Sequence, residues 1–163
     1  MTYRILTVCT GNICRSPMAE LVLRDRLAQA GLEGEVAVES YGTTSWEEGE
    51  PIDHRARAVL AAHGIVADGH RARPMTRRAL QDADLILAMD RDHLAPIQET
   101  GGPTITGRVH LLRAFDPAAG PAQGIRDPWY GGEEDFRACF ALIDAAADGV
   151  LAHVRDQLAA RRR

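Results

Sequence analysis

The segment VCTGNICRSPMAE, residues 8–20, combines side chains that could carry out nucleophilic chemistry. Cys9 follows an apolar stretch, and the spacing to Arg15 is Cys-x5-Arg, with Gly11 between them. If a helix begins next to Arg15, the backbone N–H groups of the loop can turn inward and bind an anion. Arg15 would offer a planar fork to two phosphate oxygens, and Cys9, as a thiolate, would attack the phosphorus to form a phosphocysteine.

A redox or metal site is the alternative explanation for two cysteines in one loop. Cys9 and Cys14 are five residues apart, and the third cysteine, Cys139, is distant in sequence. A structural zinc site needs about four ligands, usually in close pairs, and none of the histidines shows ligand spacing with a cysteine. The C-x-x-C pattern of thioredoxin-like redox sites is absent as well. The spacing therefore favours anion binding.

Composition limits the classes of protein to which the chain can belong. With 163 residues and 45% hydrophobic side chains, we expect one globular domain that spans residues 1–163. The net charge of -4 argues against a general nucleic-acid binder, and the complete absence of lysine excludes lysine-based catalysis. The sequence contains no apolar run of about 18 residues, which a membrane span would need, and no signal-peptide pattern follows the N-terminus. We therefore expect a cytoplasmic protein, which the small and odd number of cysteines also favours.

Alternating strand and helix patterns must position the Cys9 loop. Residues 4–9 are predicted to form a buried strand, and Pro17 stands where a helix can begin. Apolar residues at helical spacing then indicate a helix over 17–30, ended by Gly31. Strands that alternate with helices predict a parallel sheet covered by helices on both faces. The further predicted strands are 35–41, 85–89 and 108–112, and the further predicted helices are 53–63, 76–82, 91–99 and 133–160.

A long loop rich in glycine and proline, roughly 114–132, separates the last strand from the last helix. Loops of this length in a compact domain are often functional. Asp127, before Pro128, is the best candidate for a general acid that protonates a leaving oxygen, although a simple turn aspartate also explains the pattern. Asp116, before Pro117, is a rival by dipeptide, but no aromatic residues follow it.

Aromatic side chains occur in two loops, although aromatic residues make up only 5% of the chain. Trp129 and Tyr130 follow Asp127 directly, and Trp46 lies in a polar loop after the second predicted strand. These rings could line a pocket deep enough for a phenyl ring and too deep for the shorter phosphoserine. A loop anchor packed on a neighbouring helix is the alternative role for Trp46.

The run VCTGNICRSPMAE resembles the phosphate-binding loop of the low-molecular-weight protein-tyrosine phosphatases, and in particular of their bacterial branch. The similarity extends over residues 3–158 and includes SYGTTSW at 40–46, MD at 89–90 and DPWYGG at 127–132. The resemblance implies a doubly wound α/β fold of three layers. Its parallel sheet would have four strands in the order 2-1-3-4, with the Cys9 loop at the carboxyl end of the first strand.

The resemblance also implies a role for each site residue. Cys9 is the expected nucleophile, Arg15 the phosphate ligand and Asp127 the general acid. Ser16 would donate a hydrogen bond to the thiolate and Asn12 would brace the loop, and both roles are compatible with a helix cap and a turn residue. The residues expected to bind the substrate are Thr10, Gly11, Asn12, Ile13, Cys14, Ser16, Trp46, Trp129 and Tyr130.

Four other residues have weaker assignments. Cys14 could form a reversible disulfide with Cys9 under peroxide, and a small buried residue is the alternative. His63 and Asp90 resemble family positions that brace the loop, and each could equally be structural. Cys139 is expected in the hydrophobic core, because it lies at helical spacing among apolar residues.

We therefore predict a protein-tyrosine phosphatase that hydrolyses phosphotyrosine and aryl phosphates through a phosphocysteine, with no metal or other cofactor. The expected partners are tyrosine-phosphorylated proteins, with a tyrosine kinase and its targets as candidates, and inorganic phosphate is the product. We expect a monomer that binds neither nucleic acid nor membranes. An arsenate reductase on the same fold is one alternative, but residues 70–100 lack the relay cysteines that it needs. A non-catalytic phosphotyrosine-binding module is the other, and the candidate acid argues against it.

Overall fold

A parallel β-sheet forms the centre of the computed structural model, which describes residues 1–163. Its strands are β1 (Tyr3–Cys9), β2 (Val36–Gly42), β3 (Leu85–Ala88) and β4 (Val109–Leu111). The four strands lie in the order β2-β1-β3-β4, and every neighbouring pair is parallel. The predicted sheet order is therefore confirmed, and each predicted strand agrees with the observed one to within one or two residues at either end.

Helices cover both faces of this sheet. They are α1 (Arg15–Gln29), α2 (His54–Ala62), α3 (Arg77–Asp82), α4 (Leu94–Gly101) and α5 (Glu133–Arg162). The helix α1 begins two residues before Pro17, because a proline within the first turn lacks only an N–H group that has no partner there. The helix predicted over 91–99 is divided into a short 3₁₀ turn, Arg91–His93, and α4. No helix is both long enough and apolar enough to cross a bilayer.

The side chains of β1 alternate between two hydrophobic layers. Ile5 and Cys9 face the larger layer, which packs under α1, α2 and α5. Leu6 and Val8 face the smaller layer, which packs under α3 and α4. Because a strand buried on both faces leaves little room for slippage, β1 is held in register and its carboxyl end is held in place.

The carboxyl ends of the strands meet at one edge of the sheet, and hydrogen bonds join the segments that leave them. The N–H of Thr43, just after β2, donates to the carbonyl of Cys9 at 2.8 Å. The N–H of Met89, just after β3, donates to the carbonyl of Val8 at 3.0 Å. The chain after β1 turns to β2 on one side and later to β3 on the other, so this edge is the topological switch point where α/β proteins bind ligands.

We predict that an added methyl group at Gly42 destabilises this edge. A Cβ at Gly42 would lie 2.8 Å from the carbonyl oxygen of Thr10 and 3.1 Å from that of Thr44, and backbone cannot move away cheaply. Gly42→Ala should lower the free energy of unfolding by about 1–3 kcal/mol, measured by urea denaturation. Gly34→Ala is the matched control, because a Cβ there meets nothing within 4 Å. Equal stability of the two variants would contradict the prediction.

Candidate active site

The loop between β1 and α1 owes its shape to Asn12, which adopts a left-handed conformation with φ 59°. The Asn12 amide group donates to Ser16 Oγ at 2.8 Å and to Ser40 Oγ at 3.0 Å. Its side-chain oxygen accepts the backbone N–H of Arg73 at 3.0 Å. The Asn12 side chain is fully buried, and its bonds to Ser16, to Ser40 in β2 and to Arg73 hold the backbone of the loop in a concave curve.

The Cys9 sulfur lies 3.0 Å from the hydroxyl oxygen of Ser16. The Ser16 oxygen accepts from Asn12, and its own proton can go to the Cys9 sulfur or to the carbonyl of Tyr41 at 3.3 Å. When Cys9 is a thiolate it has no proton to give, so Ser16 is then the donor to sulfur. A hydroxyl that donates to Cys9 stabilises the thiolate over the thiol.

The Arg15 guanidinium is only 5% exposed. It donates to the carbonyl of Ile125 at 3.0 Å and approaches Thr10 Oγ1 at 3.5 Å. Its second terminal nitrogen lies 3.5 Å from Asp127 Oδ2. The strand, the helix and the long loop therefore bring Cys9, Arg15 and Asp127 together, although Asp127 is far from the other two in sequence.

The Asp127 carboxylate is held by the turn that follows it. Its Oδ1 accepts the backbone N–H of Trp129 at 3.1 Å, across a 3₁₀ turn over Pro128–Tyr130. The side chain is 33% exposed and Oδ2 faces Arg15.

These residues line one cavity of about 190 Å³. Trp46 and Tyr130 are 78% and 82% exposed at its rim, which argues against the alternative that Trp46 is an anchor packed on a helix. Asn12 and Ser16 do not line the cavity; they are fully buried behind the loop. Glu47 lines it too and was missed in the sequence, because a glutamate in a polar loop carries no distinctive pattern. The full lining is Cys9, Thr10, Gly11, Ile13, Cys14, Arg15, Trp46, Glu47, Asp127, Trp129 and Tyr130.

The histidine that braces the loop is His70, and of the two roles considered for His63 the structure supports the structural one. His63 is exposed and stacks on Phe140 with ring centroids 4.0 Å apart, so it takes part in packing α2 against α5. The Nε2 atom of His70 lies 2.7 Å from the backbone oxygen of Asn12. His70 stands in an irregular segment after α2, where no helix or strand periodicity could indicate its role.

A second histidine, His93, contacts the loop from the other side. Its Nδ1 accepts the backbone N–H of Asp90 at 3.0 Å, so Nε2 carries the proton of the neutral ring and donates to Thr10 Oγ1 at 3.0 Å. The backbone of Asp90 is thus linked to the loop indirectly, through the His93 ring. Burial, reinforced by the charge of Arg15, lowers the pKa of His93 from 6.5 to about 4 despite nearby carboxylates.

We predict that His93 makes the protein lose stability in mild acid. As the pH falls from about 6.5 to about 4, the unfolded chain binds a proton at His93 and the folded chain does not, so the free energy of unfolding decreases. At about 1.4 kcal/mol per unit of pKa shift, this loss is on the order of 3 kcal/mol. Urea unfolding at about pH 7 and about pH 5 should show a smaller pH dependence for His93→Gln than for wild type. The same dependence in both proteins would contradict this.

The three cysteines are all free thiols with different surroundings. Burial raises the pKa of Cys14, and the carboxylate of Asp53 raises it further. Burial also raises the pKa of Cys139 to about 12. Cys14 and Cys139 therefore remain protonated thiols at neutral pH, and Cys139 lies in the core as predicted. No three His, Cys, Asp or Glu side chains converge as a set of metal ligands.

Comparison with known proteins identifies the family. A family model described as low molecular weight phosphotyrosine protein phosphatase matches residues 4–160. The chain is 46% identical to a Streptomyces coelicolor low molecular weight protein-tyrosine-phosphatase, over 99% of both proteins. It is 44% identical to low molecular weight protein-tyrosine phosphatase A of Mycobacterium tuberculosis, over 93% of this chain and 91% of that protein. The crystal structure of YfkJ from Bacillus subtilis has a TM-score of 0.88 at 32% identity, covering 96% of this chain and 97% of that one.

The chain is therefore a phosphatase domain with a doubly wound α/β fold, and the loop from Cys9 to Arg15 lies at the switch point of its sheet. The chain belongs to the low molecular weight protein-tyrosine phosphatase family. It is a protein-tyrosine phosphatase, an enzyme that hydrolyses phosphoric monoesters. The predicted family and enzyme class are thereby confirmed.

Proposed function

We propose that this phosphatase hydrolyses phosphotyrosine in two displacement steps at Cys9. The Cys9 sulfur attacks phosphorus, the bond from phosphorus to the tyrosine oxygen breaks, and Asp127 donates its proton to that leaving oxygen. Water then attacks the phosphocysteine with Asp127 as base, which breaks the P–S bond and releases inorganic phosphate. The observation that carries the proposal is the meeting of the Cys9 sulfur, the Arg15 guanidinium and the Asp127 carboxylate in one cavity.

Arg15 and Ser16 handle the charge that this reaction moves. Arg15 offers a buried positive charge to the phosphate dianion, and its planar fork fits two of the oxygens. Ser16 donates to the Cys9 sulfur at 3.0 Å and so stabilises the thiolate that leaves in the second step. Both groups act without moving, because each is buried and hydrogen-bonded within the loop or its neighbours.

The substrates are tyrosine-phosphorylated proteins, with a tyrosine kinase and its targets as candidates. Trp46, Trp129 and Tyr130 line the cavity above the Cys9 sulfur and offer faces and edges to an aryl ring. The side chain of phosphoserine lacks the ring that such walls contact. We propose that residues 1–163 act as one catalytic domain and as a monomer, with no metal or other cofactor.

The nucleophile is tested by hydrolysis of para-nitrophenyl phosphate in the presence of EDTA. Wild-type protein should turn over the substrate under these conditions, and Cys9→Ser should lose activity by more than about a thousandfold, because a serine hydroxyl is a far weaker nucleophile at neutral pH. Activity that needs added metal would contradict the mechanism. Tight binding of a phosphotyrosine peptide with no turnover would favour the binding module, and thioredoxin-coupled turnover of arsenate would favour the reductase.

The acid is tested with two aryl phosphates whose leaving groups differ in basicity. Phenyl phosphate releases a phenolate of basicity similar to tyrosine, with a pKa of about 10, and needs a proton from Asp127. The phenolate of 2,4-dinitrophenyl phosphate is stable and leaves without one. Asp127→Asn should lower kcat/KM for phenyl phosphate by about 10²–10⁴-fold, have a much smaller effect on the dinitrophenyl ester, and remove the alkaline limb of the bell-shaped pH profile. Equal losses on both substrates would contradict the acid role.

A further inference from the structure

The Arg55 side chain, at the start of α2, binds two segments that are distant in sequence. Its Nε and one terminal nitrogen donate to the Asp53 carboxylate at 3.1 and 2.9 Å. The terminal nitrogens also donate to the backbone oxygens of Gly131 at 3.0 Å and Trp129 at 3.3 Å. The guanidinium lies over the buried ring of Phe136, with 4.5 Å from its carbon to the ring centroid. Four hydrogen bonds and one ring contact therefore hold this side chain in one orientation.

On one side, Asp53 ties Arg55 to the phosphate-binding loop. The backbone N–H of Asp53 donates to the carbonyl of Ile13 at 2.8 Å, and Ile13 belongs to that loop. The Asp53 side chain caps α2 by accepting the backbone N–H of Arg55 at 2.8 Å. Burial raises the pKa of Asp53, but its hydrogen bonds and ion pair with Arg55 outweigh that effect and lower the pKa overall. The carboxylate is thus charged and 7% exposed, and it fixes the guanidinium.

On the other side, Arg55 holds the turn that carries the acid. The backbone N–H of Trp129 positions Asp127 Oδ1, and the backbone oxygen of the same Trp129 accepts from Arg55. The N–H of Gly131 closes the turn by donating to the carbonyl of Pro128, and the backbone oxygen of Gly131 accepts from Arg55. Apart from Arg15, which faces Asp127 itself, and Asp135 at the start of α5, which accepts the N–H of Gly132 at 2.8 Å, Arg55 is the one side chain from another element that bonds to residues 127–132.

We propose that Arg55 is a positioning residue that fixes the position of the Asp127 turn relative to the phosphate-binding loop. This inference rests on the proposed function, since it assigns the placement of the acid to a residue outside the cavity. A general acid must lie within hydrogen-bonding reach of the leaving oxygen, and a displacement of about 1 Å can cost about a hundredfold in rate. Lysine cannot replace Arg55 here, because an ammonium group has no planar fork to bond Asp53 and both carbonyl oxygens together.

The test compares kcat/KM of Arg55→Lys on phenyl phosphate and on 2,4-dinitrophenyl phosphate. This parameter reports the steps up to formation of the phosphocysteine, where the acid acts on the leaving group. We expect a fall of about tenfold on phenyl phosphate and of less than about twofold on the dinitrophenyl ester, because only the first needs a well-placed proton. Arg55→Gln, which is neutral and shorter but keeps hydrogen-bond donors, provides the same comparison if the lysine variant does not fold.

A control variant and a double mutant separate this role from a general effect on the fold. Arg57→Lys is the matched control, since Arg57 lies on the exposed side of α2 and pairs with Asp68, away from the site. It should leave kcat/KM unchanged on both substrates. In an Asp127→Asn background, the Arg55→Lys substitution should have no further selective effect on phenyl phosphate, because there is no acid left to position.

Two results would overturn the proposal. One is an equal loss on both substrates for Arg55→Lys, which indicates that Arg55 supports the fold or the loop and not the acid. The other is a selective loss that persists in the Asp127→Asn background. If Asp127→Asn alone is selective and Arg55→Lys is not, only the role of Arg55 fails. If Asp127→Asn is itself unselective, the acid assignment and the role of Arg55 fail together.

Discussion

The chain of hydrogen bonds from Asn12 through Ser16 to Cys9 is the constraint on which the rest of the site depends. The Ser16 oxygen accepts from Asn12, and the serine proton can go to the Cys9 sulfur, the nearer of its two possible acceptors. The chain requires the left-handed backbone of Asn12, which is stabilised by contacts from Ser40 in β2 and from His70. The loop therefore takes its shape from strands and segments around it, which explains why it needs a rigid sheet edge.

Burial keeps several titratable groups near the site uncharged. Cys14 and Cys139 are buried among apolar atoms, where a negative charge is costly, and both remain thiols. His93 is buried next to Arg15 and remains neutral, so its Nε2 hydrogen is always available to Thr10. The Cys9 sulfur is instead 3.0 Å from the Ser16 hydroxyl, and Arg15 donates to the carbonyl of Ile125. Hydrogen bonding, and not exposure, therefore distinguishes Cys9 from the two inert thiols, since Cys9 is 2% exposed, Cys14 3% and Cys139 2%.

The sequence predicted those parts of the molecule that depend on local pattern. Buried strands alternate with amphipathic helices, and the residues around Cys9 and Arg15 form one dense motif, so the parallel sheet and the loop could be anticipated. The strand order came from the resemblance to the phosphatase family. Residues that act through long-range hydrogen bonds could not. His70 and Arg55 stand outside any motif that was identified, and their partners are backbone atoms, which the sequence does not display. The two roles left open for His63 have the same origin, because a histidine before a helix-ending glycine looks alike whether it faces the loop or Phe140.

The position of the acid turn within the chain has a consequence for biosynthesis. Cys9 and its loop are synthesised before Asp127 and α5, which packs against α1 and α2. At about 5–20 residues per second, a nascent chain carries Cys9 for several seconds before it contains Asp127. During that interval the thiol lacks the helix that completes its hydrophobic layer. The Cys9, Arg15 and Asp127 side chains therefore come together only after translation has passed Asp127, and a chain that terminates before this residue carries Cys9 without the carboxylate.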